Sequence, residues 1–376
     1  MADTRSSSTS NESFWETLKS DWEHVSQQAQ SGWRQNFRKT LTELEEFYLT
    51  PERRQRLARA RGVGRWILSA WYLLVALIRK LSPLRRVLLL TALLFLWSSH
   101  QGIHIGRNVQ ADVNWGSVGS VLLLALLLLE LKDKLVARHE LEAGRAVQDA
   151  LMPQDCPTIA GWDMWISTRP ANDVGGDLVD ALLLSPGRVG VALADVAGKA
   201  LPAALLMGKV QATLRALATS APSLSDLATQ TNHILCRDGL PNRFATLVYL
   251  DVREASGTVH LMNAGHMPPV HLSGSAFHEL PRGNMALGLM DGSSYEEQVV
   301  ELLPGDMLVV YSDGLTEALN ESGDFYGEER LQALLPALAP LSAKDAGTRI
   351  LASVDAFIGE TKPYDDLSLV ILKRTN

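Results

Sequence analysis

The chain has 376 residues, enough for a large catalytic domain with additional segments, since domains usually contain about 100 to 200 residues. Its formal net charge of −7 and pI of about 5.8 provide no broad basic field, which argues against nucleic acid as a partner. Two cysteines, Cys156 and Cys236, are too few for a secreted disulfide framework, so we interpret both as reduced thiols. The polar N-terminal segment contains no apolar run typical of a signal peptide.

Residues 1–60 are predicted to form a cytoplasmic amphipathic helical region. Apolar residues recur there at intervals of three or four, which is the period of a helix. Such a stripe can lie on a bilayer, pack against a partner helix or pack within the chain. The residues are Trp15, Leu18, Trp22, Val25, Ala29, Trp33, Phe37, Leu41, Leu44 and Tyr48.

Residues 61–131 are predicted to form a membrane region, because a spanning helix needs roughly 20 mainly apolar residues. Two spans are expected at about residues 87–106 and 115–131, and a shorter segment at 66–78 is expected to lie in the interface or re-enter. Basic residues flank the short segment and follow the last span, which favours cytoplasmic termini under the positive-inside rule. The alternative is that these segments are buried core helices, and the number of spans stays open between two and three.

Residues 132–152 are predicted to form a charged connector helix that ends before Pro153. A homodimer through this helix is a further expectation. The apolar positions with helical spacing are Ala143, Ala146, Val147, Ala150 and Leu151.

Residues 153–376 consist of short apolar runs and helical stretches that do not strictly alternate. This pattern predicts an α+β fold in which two antiparallel sheets are flanked by helices, an α-β-β-α sandwich. The strands are expected at 189–194, 245–250, 307–311 and 367–372, and the helices at 200–217, 224–236, 328–338 and 343–357.

Four aspartates, Asp177, Asp195, Asp313 and Asp365, each lie at the edge of an apolar run. Carboxylate oxygens are preferred ligands of Mg²⁺ and Mn²⁺, whereas Cys and His are sparse nearby. Two such cations about 3.5 to 4 Å apart can hold a bridging water and lower its pKa for attack on a phosphate ester. One Ser-Asp-Gly motif is weak evidence, but the ordered set is specific and predicts phosphate-ester hydrolysis.

These motifs resemble the metal-dependent protein phosphatase family (protein phosphatase 2C-like), in particular its bacterial stage-II-sporulation-E and stress-sigma regulator branch. The resemblance extends over roughly the last two-thirds of the chain. Its motifs occur in the family's order at residues 174–180 (VGGDLVD), 194–200 (ADVAGKA), 243–246 (RFAT), 263–269 (NAGHMPP), 311–318 (YSDGLTEA), 326–331 (YGEERL) and 365–368 (DDLS).

The resemblance implies two Mn²⁺ or Mg²⁺ ions. Asp195 would bridge them, Asp313 and Asp365 would complete one site, and Asp177 with the backbone carbonyl of Val196 would complete the other. The second-choice or outer ligands would be Asp366 and Asp180.

The implied function is a membrane-anchored serine/threonine phosphatase that acts on a phosphorylated signalling protein, of the anti-sigma-factor antagonist type. We expect a multi-pass protein of the bacterial inner (cytoplasmic) membrane with a cytoplasmic catalytic domain. Two alternatives stay open: a catalytically silent scaffold with the same fold, and a nucleotide cyclase suggested by Gly-Gly-Asp. Leu178 follows that motif where a cyclase would have an acidic residue.

Other polar residues are less informative from sequence. His266 is interpreted as a hydrogen-bonded turn residue and not as a proton donor. Neither Arg169 nor Arg243 can be assigned to substrate phosphate. The helix that follows Asp195 is hypothesised to couple the connector to the ligands by a small rotation.

Overall fold

The computed structural model describes residues 63–98, 115–153, 156–238, 243–254 and 256–375, and a few positions between 49 and 57. The chain divides into two compact units, Met1–Lys134 and Leu135–Asn376. The amphipathic region predicted for residues 1–60 falls almost entirely outside the described residues, so it stays a prediction. The second unit begins at Leu135, inside the segment predicted as a separate connector.

The first unit is helical where it is described. Helix α1 (Val63–Lys80) is followed by α2 (Pro83–Trp97), which begins with proline because that residue has no N–H to leave unpaired at a helix start. Helix α3 (Trp115–Leu151) begins in this unit. Within the unit, the Arg85 guanidinium donates to Glu130 at 2.8 Å and to Asp133 at 2.6 Å, which ties α2 to α3.

Over the described ranges, the helices do not combine enough length with enough apolar character to cross a membrane. Helix α2 covers the start of the predicted span at 87–106 and has 15 residues, and residues 99–106 of that span lie outside the described residues. The predicted span at 115–131 is the first part of α3, a helix of 37 residues that continues without a break through the charged connector. The two predicted spans are therefore not supported, and the connector at 132–152 is the end of a longer helix.

The second unit contains two five-stranded sheets whose paired strands are antiparallel. The first sheet has the order β1 (Trp162–Arg169), β10 (Leu367–Arg374), β9 (Met307–Tyr311), β6 (Val270–Ser273) and β7 (Ala276–Glu279). The second has the order β2 (Leu178–Ser185), β3 (Arg188–Val196), β4 (Ala245–Arg253), β5 (Thr258–Ala264) and β8 (Glu297–Glu301).

Alternate residues of the strands face different layers. On β3, Val191 and Leu193 belong to the core between the sheets, whereas Ala192 and Ala194 belong to the core under the outer helices. Small residues on the outer face let helices approach closely. The helices over the second sheet are α4 (Leu201–Leu217) and α5 (Leu224–Asp238).

The first sheet is covered in the same way. A short α6 (Asp313–Thr316) follows β9, and the sheet packs against α7 (Gly327–Leu334) and α8 (Ala343–Ile358), with a 3₁₀ turn at Leu335–Ala337. The predicted α+β class with two antiparallel sheets between helices is confirmed. The predicted strands and helices of this unit all occur, with ends shifted by a few residues.

Candidate metal centre

The four predicted aspartates lie together at one end of the sandwich. Asp177 directly precedes β2 and Asp195 is the penultimate residue of β3, so both come from the second sheet. Asp313 follows β9 and Asp365 precedes β10 in the first sheet. The charges of Asp313 and Asp365 both act on the carboxyl of Asp195, and the charge of Asp195 acts on Asp177. Each sheet therefore contributes two carboxylates to one acidic cleft.

Burial and repulsion from neighbouring carboxylates disfavour the charged forms of Asp177, Asp195 and Asp313. Burial, and then the charge of Asp195, raises the pKa of Asp177 well above its ordinary value. Burial, followed by the charges of Asp313 and Asp365, raises the pKa of Asp195 to about 7. Burial and then Asp365 also raise the pKa of Asp313. Closely spaced buried carboxyls of this kind are stabilised by bound cations.

One further observation fits hard divalent cations. The Oδ2 atom of Asp177 is buried and has no hydrogen-bond partner, and an unpaired buried carboxylate oxygen is costly unless a cation or donor meets it. Within the described ranges, however, no three Asp, Glu, His or Cys side chains are arranged as a ready-made ligand set for one ion. The individual ligand roles therefore stay predictions.

The loop before Asp177 is held from two sides. The Asp366 carboxylate accepts hydrogen bonds from the N–H groups of Ala171 at 2.7 Å and Gly176 at 2.5 Å. On the other side, the Gln148 amide of α3 donates to the carbonyl of Gly175 at 2.9 Å and accepts from its N–H at 3.1 Å. Asp366 thus positions the loop, which agrees with an outer role better than with direct ligation.

The carbonyl of Val196 faces the same loop. A Cβ atom added to Gly176 would lie 3.2 Å from the Val196 oxygen, so glycine permits this close approach. The predicted carbonyl ligand and Asp177 are therefore neighbours, although the Val196 side chain itself is buried in the core.

Hydrogen bonds also join the motifs that carry Asp313 and Asp365. The Ser312 hydroxyl donates to the Asp366 carbonyl at 3.1 Å and accepts from the Ser368 N–H at 2.9 Å. A Cβ atom on Gly314 would lie only 2.0 Å from the Asp366 carbonyl oxygen, so this backbone approach requires glycine. The two motifs form one interlocked element.

His266 is buried in the wall of a cavity of about 100 Å³ that Asp195 and Asp313 also line. Its Nε2 lies 3.1 Å from the Tyr311 carbonyl, which can only accept, and its Nδ1 lies 2.8 Å from the Thr246 hydroxyl. The network therefore places the proton of the neutral ring on Nε2. The interpretation of His266 as a hydrogen-bonded residue agrees with these contacts.

Three other charged residues from the sequence analysis have partners in the structure. Asp180, the second-choice ligand, forms two 2.8 Å hydrogen bonds with Arg215 of α4 and anchors that helix to β2. Arg169 forms a two-point ion pair with Asp355. Arg243 donates to the carbonyl of Ala197 at 2.8 Å.

Two further residues near the site, Gln148 and Lys199, were not predicted from the sequence. Gln148 is a polar residue within an amphipathic helix, where no pattern marks a long-range contact. Lys199 lies in a matched motif, 3.3 Å from Asp365, and its cationic charge was the available signal.

Residues 185–375, just over half of the chain, match the family described as Stage II sporulation protein E (SpoIIE). The chain is 28% identical over 281 residues to Protein IcfG of Synechocystis, an alignment that covers 66% of this chain and 43% of that protein. It is 26% identical over 239 residues to the phosphoserine phosphatase RsbU of Bacillus subtilis, covering 63% of this chain and 70% of that protein. The chain thus spans less than half the length of the first relative.

Solved structures show the same fold. The SiaA-PP2C domain of Pseudomonas aeruginosa superposes with a TM-score of 0.57 at 21% identity and covers 65% of this chain and 99% of that one. The RsbU and RsbW domains of a Mycobacterium tuberculosis protein give a TM-score of 0.51 at 21% identity and cover 60% and 63% of the two chains. At this identity, the similarity is evidence for architecture.

Proposed function

Because the chain belongs to the SpoIIE family, whose members are protein phosphatase 2C-type serine/threonine phosphatases, we propose that it hydrolyses phosphoserine or phosphothreonine on a signalling protein. The observation that supports this most directly is the convergence of Asp177, Asp195, Asp313 and Asp365 from two sheets, where burial and neighbouring carboxylates raise the pKa values of Asp177, Asp195 and Asp313.

We infer that these residues hold two Mn²⁺ or Mg²⁺ ions. Asp195 would be shared, Asp177 and the Val196 carbonyl would serve one ion, and Asp313 and Asp365 the other. When bound, such cations supply an ionisable water and neutralise phosphoryl oxygens. The chain's own contribution is rigidity, since the strand ends and the interlocked loops keep the carboxylates from moving apart.

The identity of the substrate is a separate proposal. A similar protein, RsbU of Bacillus subtilis, is named a phosphoserine phosphatase, and the resemblance to its branch favours an anti-sigma-factor antagonist. The acidic cleft lies at an end of the sandwich, where a phosphorylated side chain of a folded partner can enter.

The test is release of phosphate from a phosphoserine peptide by the full-length chain with Mn²⁺. We expect Asp195→Asn and Asp313→Asn to lower kcat at least about 100-fold, because each removes a ligand charge. The matched control Asp238→Asn changes an exposed aspartate outside the cleft and is expected to leave the rate unchanged. GTP turnover without phosphatase activity would favour a cyclase, and binding without turnover would favour a scaffold.

Attachment to the inner membrane stays a proposal, supported by the sequence and by exposed apolar side chains on α2 and α3, such as Leu90, Leu94, Leu124 and Leu127. It predicts that the chain sediments with membranes after a high-salt wash. Recovery in the supernatant would contradict it.

A homodimer through the last part of α3 is likewise proposed, supported by the exposed Leu135, Val136 and Val147. Sedimentation equilibrium tests it. A monomer at all concentrations would contradict it.

A further inference from the structure

We propose that Lys199 is the residue that binds the substrate phosphate, through its ammonium group at the rim of the acidic cleft. This inference rests on the proposed function and adds the contact that positions the phosphoryl group. The sequence assigned no residue to that role.

The position of the ammonium group is the first argument. Lys199 Nζ lies 3.3 Å from Asp365 Oδ2 and donates to the Tyr364 carbonyl at 3.3 Å. It also lies 4.3 Å from the centroid of the Tyr364 ring, a cation–π distance.

The backbone around Lys199 is the second argument. Gly198 has φ +123°, and a Cβ atom there would overlap the Arg243 guanidinium, so the loop fits tightly against Arg243. Ala200 has φ 60° and ψ −153°, a region occupied almost only by glycine. Such strain persists where the surroundings impose it and is concentrated at functional sites. The backbone conformation on either side of Lys199 fixes the direction in which its side chain extends, four residues after Asp195.

The ammonium group of Lys199 is also accessible to a ligand. Both guanidinium groups considered from the sequence have partners, since Arg169 is paired with Asp355 and Arg243 donates to the Ala197 carbonyl. Lys199 also has a partner, but that partner is Asp365 of the cleft itself, and the Lys199 side chain is 52% exposed, so its ammonium group is open to a ligand that arrives there. Two of its three N–H donors have the partners described above, which leaves one for a phosphate oxygen.

The positive charge of Lys199 determines how this residue acts on a phosphorylated substrate. A phosphomonoester is an anion that approaches a group of carboxylates, and a lysine ammonium lowers the repulsion as a point charge. The phosphate carries its charge in both the ground state and the transition state. Lys199 therefore acts mainly on substrate binding, which changes KM more than kcat.

The experiment compares Lys199→Ala and Lys199→Arg with the wild-type full-length chain. It measures kcat and KM for a phosphoserine peptide, the dissociation constant of inorganic phosphate in the presence of Mn²⁺, and Mn²⁺ affinity by calorimetry. We expect Lys199→Ala to raise KM and the phosphate dissociation constant about 10- to 100-fold, with Mn²⁺ affinity within about threefold. Lys199→Arg should restore most of the phosphate binding, because it keeps the charge.

The control Lys209→Ala removes an ammonium group that pairs with Asp238 outside the cleft, and it should change none of these constants. Unchanged KM and phosphate binding in Lys199→Ala would overturn the inference. So would a loss of Mn²⁺ affinity as large as the loss of phosphate binding, since Lys199 would then only stabilise Asp365. Phosphate binding that depends on Lys199 without any turnover would support the inference and contradict the proposed function.

Discussion

His266 links the two sheets next to the acidic cleft. Its ring contacts Thr246, which pairs with Asp195 across β3 and β4, and it contacts the Tyr311 carbonyl at the end of β9. Burial lowers the pKa of this imidazole to about 4, and the hydrogen bond to Tyr311 only partly opposes the shift. The ring is therefore neutral near pH 7 and holds ligand-bearing strands of both sheets in register.

The lowered pKa of His266 predicts a pH effect on stability. Unfolded histidine takes up a proton near pH 6.5, but the folded ring does so only near pH 4. Between these values the unfolded state binds more protons than the folded state. The stabilisation that the neutral His266 ring contributes is therefore fully present above about pH 6.5 and is lost as pH falls toward 4. The full loss, reached below about pH 4, is about 3 kcal/mol at 1.36 kcal/mol per pKa unit, and about 2 kcal/mol of it falls between pH 7 and pH 4.5. Denaturant unfolding at pH 7 and pH 4.5 checks it.

The matched variant is His266→Gln, which keeps a polar side chain that does not titrate. Since the raised pKa values of Asp177 and Asp195 act in the opposite direction, the wild type minus variant difference isolates the histidine. We expect the wild type to lose more stability than the variant between pH 7 and pH 4.5. Equal losses would contradict the buried neutral ring.

At the scale of elements, the start of α4 carries strain. Ala200 has a left-handed φ directly before the helix and no side-chain cap. Ala200→Gly should therefore stabilise the fold by about 1 kcal/mol, because glycine adopts this conformation without the Cβ conflict. Thermal unfolding measures the change. The control Ala212→Gly, at a solvent-exposed position in the middle of α4, should destabilise the fold by about 1 kcal/mol. A change in the free energy of unfolding with the same sign in both variants would contradict strain at Ala200.

Two glutamines join the end of α3 to the loop before Asp177 and to helix α4. Gln148 binds Gly175 in both directions, and Gln211 of α4 donates to the Leu151 carbonyl at 2.7 Å. These contacts are a physical basis for the hypothesis that the connector acts on α4 and the ligands. Coupling itself stays a prediction.

Removing the Gln148 amide leaves Gly175 without its buried partners. Gln148→Ala should weaken Mn²⁺ binding about tenfold and destabilise by about 1 to 3 kcal/mol. Calorimetry with Mn²⁺ and chemical unfolding measure the two effects. Glu140→Gln, at an exposed position of α3, is the control. Unchanged Mn²⁺ affinity in Gln148→Ala would show that the loop is held without α3.

Much of the catalytic unit was predictable from residues 153–376. Apolar runs such as 307–311 and 367–372 predicted strands, and the strands found there are buried. The ordered aspartates located the cleft because each lies at a strand end. Contacts between distant polar groups, such as Gln148 with Gly175, have no sequence period and were missed.

At the scale of the whole molecule, the described helices before residue 135 differ in their limits from the apolar segments predicted there. Ser82 and Pro83 are a helix-start signal, and α2 begins there and ends at Trp97. The apolar segment from Trp115 is continuous with the charged connector, so hydropathy alone divided one helix into two. The sandwich was predicted more accurately because its strands have turns at both ends.

The central claim is that carboxylates from two sheets hold two divalent cations in one chain. The most direct measurement is the number of Mn²⁺ ions bound per chain, by calorimetry and elemental analysis of the full-length protein. We expect two ions for the wild type and loss of at least one in Asp195→Asn, with Asp238→Asn unchanged. Binding of no Mn²⁺ by the wild type, or of two ions by Asp195→Asn with wild-type affinity, would contradict it.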